Sequence, residues 1–309
     1  MSYRIVFMGS PEFALPSLER LVASYDVIGV VTQPDRPAGR GRELVSPPVK
    51  QLALEQGIPV IQPERLKEPA AMQQLQAWAP DVIVVAAFGQ ILRQPMLELP
   101  SHGCINVHAS LLPRWRGAAP VQAAILNGDP VSGVSIMCMD AGVDTGPILS
   151  QRALPLLPDE TGGSLTQRLG ELGAGLLDET LPEYIRGHII PQPQDETGAT
   201  YAPMLKKGDG KLDFSQEASS LARRVHAFNP WPGAYTTWEG QILKIHRARA
   251  VNGDGGKPGS TLVYFNRPAV ACRNGLLILD EVQPAGKKPM EGDVFLRCAR
   301  GWGSHPVGN

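Results

Sequence analysis

The stretch Asp81-Val82-Ile83-Val84-Val85-Ala86-Ala87-Phe88 decides the fold. It is apolar from its second position on, without polar alternation, and follows the helix-compatible residues 72–78. A strand of that kind has to be covered on both faces, as in a parallel sheet. Upstream, residues 4–9 form another apolar run ending in glycine, and residues 11–22 suit a helix with Pro11 near its first turn. Residues 27–32 read as a second buried strand. Downstream come a strand at 105–111, a helix at 120–126, strands at 134–139 and 148–156, and a long amphipathic helix at 165–185. This alternation predicts an α/β domain with a doubly wound, mostly parallel sheet.

The winding is Rossmann-like, but the first strand ends Phe7-Met8-Gly9-Ser10-Pro11-Glu12, with one glycine where a dinucleotide fingerprint needs three. A nicotinamide or flavin cofactor is therefore not expected. Around residues 187–210 the chain turns rich in Pro, Gln and Gly, as a linker would. Beyond it the period changes. Ser215 is placed to cap a short helix running to about residue 227. Alternating stretches follow at 234–238, 242–249, 261–265, 268–272 and 276–282, with Glu239-Gly240 and Asn274-Gly275 as turns. Short antiparallel strands in so small a region suggest an OB-like β-barrel. The expected organisation is residues 1–187, a linker at 188–210, and a barrel domain at 211–309.

Among 309 residues the formal net charge is −1, yet its distribution is uneven. Residues 1–205 carry 14 Lys and Arg against 21 Asp and Glu, whereas residues 206–309 carry 15 against 9. A basic C-terminal third suits a polyanionic partner, because neutralised phosphates release counterions. No apolar run approaches the ~18 residues of a membrane span, and no secretory leader is visible. The four cysteines form no Cys-x-x-Cys motif. A cytoplasmic protein with no membrane association is expected, and a monomer.

Chemistry-bearing residues cluster in the first domain. Asn106 and His108 share one side of a strand end, where open α/β sheets bind ligands. Histidine moves protons near neutrality, and an asparagine amide can hold a developing oxyanion. The glycine-rich loop 139–146 holds two acids, Asp140 and Asp144, and could aim a carboxylate into the same cleft. His102, Cys104 and His108 share parity, but an extended strand puts the two histidines about 20 Å apart, so no metal is expected. Arg114, Trp115 and Arg116 in the loop 111–120 could meet an anion and a flat ring. A long loop at 34–50 carries Arg36, Arg40, Arg42 and Lys50 against Asp35 and Glu43, which suits phosphates. Taken singly, each also reads as structural: a hydrogen-bonded pair, a backbone turn, a solvated loop.

Taken together, several blocks resemble the methionyl-tRNA formyltransferase family, in order, from the N-terminus to about residue 290. They are Gly9-Ser-Pro-Glu-Phe-Ala14, Thr32-Gln-Pro-Asp-Arg-Pro-Ala-Gly-Arg-Gly41, Ile105-Asn-Val-His108, Ser110-Leu-Leu-Pro-Arg-Trp-Arg-Gly-Ala-Ala-Pro120, Asp144-Thr-Gly146, Phe228-Asn-Pro-Trp-Pro232 and Gln283-Pro-Ala-Gly-Lys-Lys288. The Asn-x-His and Asp set is shared with other users of 10-formyltetrahydrofolate; the arginine-rich loop and basic C-terminal domain point to tRNA. The resemblance implies formyl transfer from 10-formyltetrahydrofolate to the α-amine of methionine on initiator tRNA. It implies that Asn106 and protonated His108 stabilise the oxyanion, with Asp144 holding the histidine charged and helping to remove the amine proton. Ser110, Leu111, Leu112 and Pro113 correspond to a folate-binding segment. Arg36, Arg40, Arg42 and Lys50 fall in a loop set against the acceptor stem, and Lys206, Lys207 and Lys211 in a basic linker region. Ala109 and Glu43 depart from the family pattern, and residues after about 293 match nothing in it. Two other readings remain: a folate-dependent formyltransferase for a small amine, such as an amino sugar or glycinamide ribonucleotide, and a non-catalytic RNA-binding protein.

Overall fold

The computed structural model describes residues 3–38 and 43–308. The chain runs β1 (Arg4–Gly9), α1 (Leu15–Ser24), β2 (Asp26–Val31), a hairpin of β3 (Arg36–Ala38) and β4 (Glu43–Val45), α2 (Pro48–Glu55) and β5 (Val60–Ile61). It continues through α3 (Pro69–Trp78), β6 (Val82–Ala86), α4 (Gln94–Leu97), β7 (Cys104–His108), β8 (Arg116–Gly117) and α5 (Pro120–Asn127). Then come β9 (Val131–Cys138), β10 (Ile148–Pro155), α6 (Gly162–Ile185) and β11 (Tyr201–Ala202). Proline occupies the first turn of α1, α2, α3 and α4, where its fixed φ helps and its missing N–H costs nothing. Pro11 instead precedes a 3₁₀ turn at Glu12–Ala14.

Seven of these strands form one sheet in the order β10-β9-β7-β6-β1-β2-β5. The five from β5 to β7 are parallel, and β9 and β10 extend the sheet in antiparallel fashion. Every residue of β6 and β7 is buried, which accounts for the unbroken apolar run of the sequence. The winding reverses between β1 and β6, and the carboxyl ends of strands beside such a point are where open α/β sheets hold ligands.

The structure divides into two units: Met1–Pro120 with Val131–Pro155 and Thr166–Ala202, and Val121–Pro130 with Leu156–Leu165 and Pro203–Asn309. The second contains α7 (Ala218–Ala227), β12 (Ala234–Trp238), β13 (Gln241–Val251), β14 (Thr261–Tyr264), β15 (Arg267–Ala271), β16 (Leu276–Pro284), β17 (Met290–Glu291) and α8 (Gly292–Cys298). Its antiparallel sheet has the order β12-β13-β16-β15-β14, with β17 beside β16. Among the described residues no strand pairing joins β12 to β14, so the expected barrel is present as a sheet that strands do not close. The chain end bridges the two edges instead. The Val307 N–H donates to the Gly259 carbonyl and the Gly308 N–H to the Thr237 carbonyl, each at 2.9 Å.

One local expectation changes, and two features go beyond what the sequence indicated. Ser215 does not cap α7; its N–H donates to Asp213 Oδ1 in a turn that ends before the helix, and Glu217 stands at the N-cap. The β14–β15 hairpin turns at Phe265 and Asn266, both at positive φ, without a glycine to announce it. The residues after 293 are part of the core: Phe295, Trp302 and Val307 are buried, and the rings of Trp238, Phe295 and Trp302 lie 5.3–5.6 Å apart.

Candidate active site

Asn106 and His108 end β7 with side chains on one side of the strand, 8% and 6% exposed. Asp144, on the loop between β9 and β10, meets both. Asn106 Nδ2 donates to Asp144 Oδ1 at 3.4 Å, and His108 Nδ1 lies 3.6 Å from Asp144 Oδ2. The other ring nitrogen, Nε2, is 3.0 Å from the Trp115 carbonyl. The Gly117 N–H donates to Asp144 Oδ2 at 2.7 Å. Asp144 sits at φ +53° and Trp115 at φ +61°. The left-handed region is open to an aspartate but strained for an indole, and such conformations persist where the surroundings over-determine them.

The surroundings include two residues that the sequence did not single out, Gln194 and Glu196. Gln194 Nε2 donates to the carbonyls of Asp144 at 2.9 Å and Gly146 at 2.7 Å. Its Oε1 accepts from Arg116 Nε at 3.0 Å and Nη2 at 2.8 Å. Arg116, fully buried, forks onto Glu196 at 2.8 and 2.9 Å. That pairing raises the Arg116 guanidinium above its ordinary value and lowers the Glu196 carboxyl below its own. The anion that Arg116 meets is thus internal. Arg114 stacks on the Trp115 ring at 4.4 Å. Gln194 lies in a Pro-Gln-Pro-Gln stretch whose composition signals only a linker, although residues 188–202 belong to the first unit.

The segment beside the pair is held from within. The Ser110 N–H donates to the His108 carbonyl, and Ser110 Oγ to the Arg114 carbonyl at 2.6 Å. Ser135 Oγ donates to the Ser110 carbonyl and accepts from the Leu112 N–H, while Gln151 Nε2 donates to the Leu112 carbonyl. Ser110 and Leu112 are buried; Leu111 and Pro113 are half-buried.

In the loop after β2, Lys50 Nζ is bound to Asp35 Oδ2 at 2.7 Å, and Arg36 Nη2 lies 3.5 Å from Gln33 Oε1. Arg40 and Arg42 lie outside the described residues. Lys206, Lys207 and Lys211 are exposed in the second unit. His102 packs edge-on against Tyr3, and Cys104 is buried with its thiol pushed up to about 12 by desolvation. Among the described residues, no group of three or more His, Cys, Asp or Glu is placed to hold a metal. No described helix is long and apolar enough to cross a membrane.

Two family profiles match in tandem: formyl transferase over residues 3–181, and formyl transferase, C-terminal domain, over residues 204–300. Over 95% of its length the chain is 51% identical to the methionyl-tRNA formyltransferase of Myxococcus xanthus, covering 94% of that protein. Over its full length it is 52% identical to the protein of the same name from a Roseiflexus species, covering 96% of it. The chain belongs to the methionyl-tRNA formyltransferase family. Asn106, His108 and Asp144 fall within the first match, and Lys206, Lys207 and Lys211 within the second. The fold is shared more widely than the methionyl-tRNA formyltransferase name. A structure of the Clostridium thermocellum methionyl-tRNA formyltransferase superposes with a TM-score of 0.56 at 16% identity, over 94% of this chain and all of that one. The N-formyltransferase of Helicobacter canadensis, in complex with folinic acid and dTDP-3-aminofucose, superposes with a TM-score of 0.66 at 18% identity, over 92% of this chain and all of that one.

Proposed function

We propose that the chain transfers a formyl group from 10-formyltetrahydrofolate to the α-amine of methionine on initiator methionyl-tRNA. The observation that carries the chemistry is the convergence of Asn106, His108 and Asp144 at the end of β7. Near-half identity along the whole chain to proteins named for the tRNA reaction supports the choice of acceptor. The site suits a folate-type donor, since a flat ring needs apolar cover beside the polar trio. Val143, the neighbour of Asp144 in sequence and 53% exposed, offers it.

The donor supplies a formyl carbon on N10; the amine attacks it, a C–N bond forms, charge moves onto the formyl oxygen, and the bond to N10 then breaks as N10 receives the proton that the amine has lost. Asn106 uses one N–H on Asp144 and has the second for that oxygen. His108 faces an acceptor at each ring nitrogen, the Trp115 carbonyl at 3.0 Å and the Asp144 carboxylate at 3.6 Å, and as an imidazolium it can donate toward both. In that state it can turn an N–H from the neutral carbonyl to the charged oxygen, which is the stronger acceptor. Asp144 balances the imidazolium and takes the amine proton, directly or through one water. Ser110, Leu111, Leu112 and Pro113 shape the wall beside the pair. Arg36, Arg40, Arg42, Lys50, Lys206, Lys207 and Lys211, with an OB-like second domain, take the tRNA phosphates.

Salt separates this reading from transfer to a small amine. Formylation of the charged tRNA is expected to weaken steeply with salt, as phosphate contacts do. Turnover of an amino-sugar nucleotide at a rate indifferent to salt, with none on tRNA, would replace it.

A further inference from the structure

Between the two matched family regions lie residues 182–203, to which neither profile extends. This segment is fastened to the catalytic trio at two places. Residues 200–202 bind one edge of β8: the Arg116 N–H donates to the Thr200 carbonyl and the Ala118 N–H to the Ala202 carbonyl, both at 2.9 Å. The opposite edge of β8 supplies the Trp115 carbonyl to His108 and the Gly117 N–H to Asp144. The second place is Gln194, whose amide spans the Asp144 and Gly146 carbonyls and the Arg116 guanidinium.

We propose that residues 194–202 form a positioning strap for the catalytic pair, with Gln194 as the residue that sets the Asp144 loop. The side chain required there is narrowly defined. Two carbonyls need N–H donors and one guanidinium needs an acceptor, and a single planar amide meets all three. Glutamate keeps the acceptor and loses both donors; leucine loses all three at similar volume. Asn106 stays bonded to Asp144, and His108 within 3.6 Å of it, only while that loop holds its place, so Gln194 acts through Asp144.

The inference rests on the proposed reaction, and its test has a readout that does not. Gln194→Leu and Gln194→Glu are compared with the parent in formyl transfer to charged initiator tRNA. A displacement of about 1 Å at reacting groups costs about 10²-fold, so kcat is expected to fall ten- to hundred-fold in both variants. KM for each substrate should stay within about threefold, since neither binding surface is touched. The ring ¹⁵N signals of His108 at neutral pH should move in both variants, whether or not the parent transfers formyl groups to tRNA. Unmoved His108 signals overturn the strap, as does a parent-like kcat in Gln194→Leu. A loss shared equally between kcat and KM, with a lowered Tm, also overturns it, because it marks a general structural role. A parent inactive on tRNA whose variants still shift the His108 signals keeps the strap and removes the acceptor.

Discussion

The Gly117 N–H donates to Asp144 Oδ2 at 2.7 Å, from a backbone that only glycine adopts freely. Gly117 has φ +107°, and a Cβ built there would stand 2.7 Å from the Ala202 carbonyl oxygen. Gly117→Ala is therefore expected to push β8 off β11 and carry the donor away from Asp144, lowering kcat by about 10²-fold. Single-turnover transfer, with circular dichroism to confirm a folded chain, checks this. A parent-like rate would show that Asp144 needs no help from β8.

In the proposed reaction Asn106 and His108 both address the formyl oxygen. Asn106→Ala and His108→Ala are each expected to lower kcat by about 10²–10³-fold with folate binding retained. Because they act as a unit, the double variant should lose far less than the product of the two. Independent, multiplying losses would assign them to separate steps.

The sheet and the Asn106–His108 pair could be read from the sequence because their signals are local, whereas Asp144, 38 residues from Asn106, is singled out from Asp140 only by the family resemblance. The 81–88 run carries its own burial pattern, and the parity of Asn106 and His108 follows from strand geometry. Gln194 could not, since its partners Asp144 and Gly146 lie 50 and 48 residues away and nothing in a Pro-Gln repeat predicts them. The Phe265-Asn266 turn lacks glycine; the pairing of Tyr264 with Arg267 across a two-residue loop requires its positive φ. Trp302 stands in a Gly-rich end that resembles a loop by composition.

Trp302 tests that chain end. It is 7% exposed, packs on Trp238 and Phe295, and donates through Nε1 to the Leu262 carbonyl at 2.9 Å. Trp302→Ala is expected to destabilise the second unit by about 3–5 kcal/mol in urea unfolding. A loss below about 1 kcal/mol would make the tail peripheral.

Asp35 tests the base of the arginine-rich loop. Its carboxyl is held below the ordinary range by hydrogen bonds from Gln62, then Lys50, with a smaller one from Ser46. A lowered folded value contributes stability above the unfolded value, near ~3.9, and loses it as pH falls through the folded one. Asp35→Asn should therefore be less stable than the parent at neutral pH, with the gap closing as pH drops below about 4. Urea midpoints across that range check the sign; a gap independent of pH would contradict it.

The most direct measurement is formyl transfer from 10-formyltetrahydrofolate to charged initiator methionyl-tRNA beside charged elongator methionyl-tRNA. Rapid formylation of the initiator, with the elongator left largely unmodified, is the predicted result. No transfer to either tRNA, with folate still bound, would contradict the account and move the acceptor to a small amine.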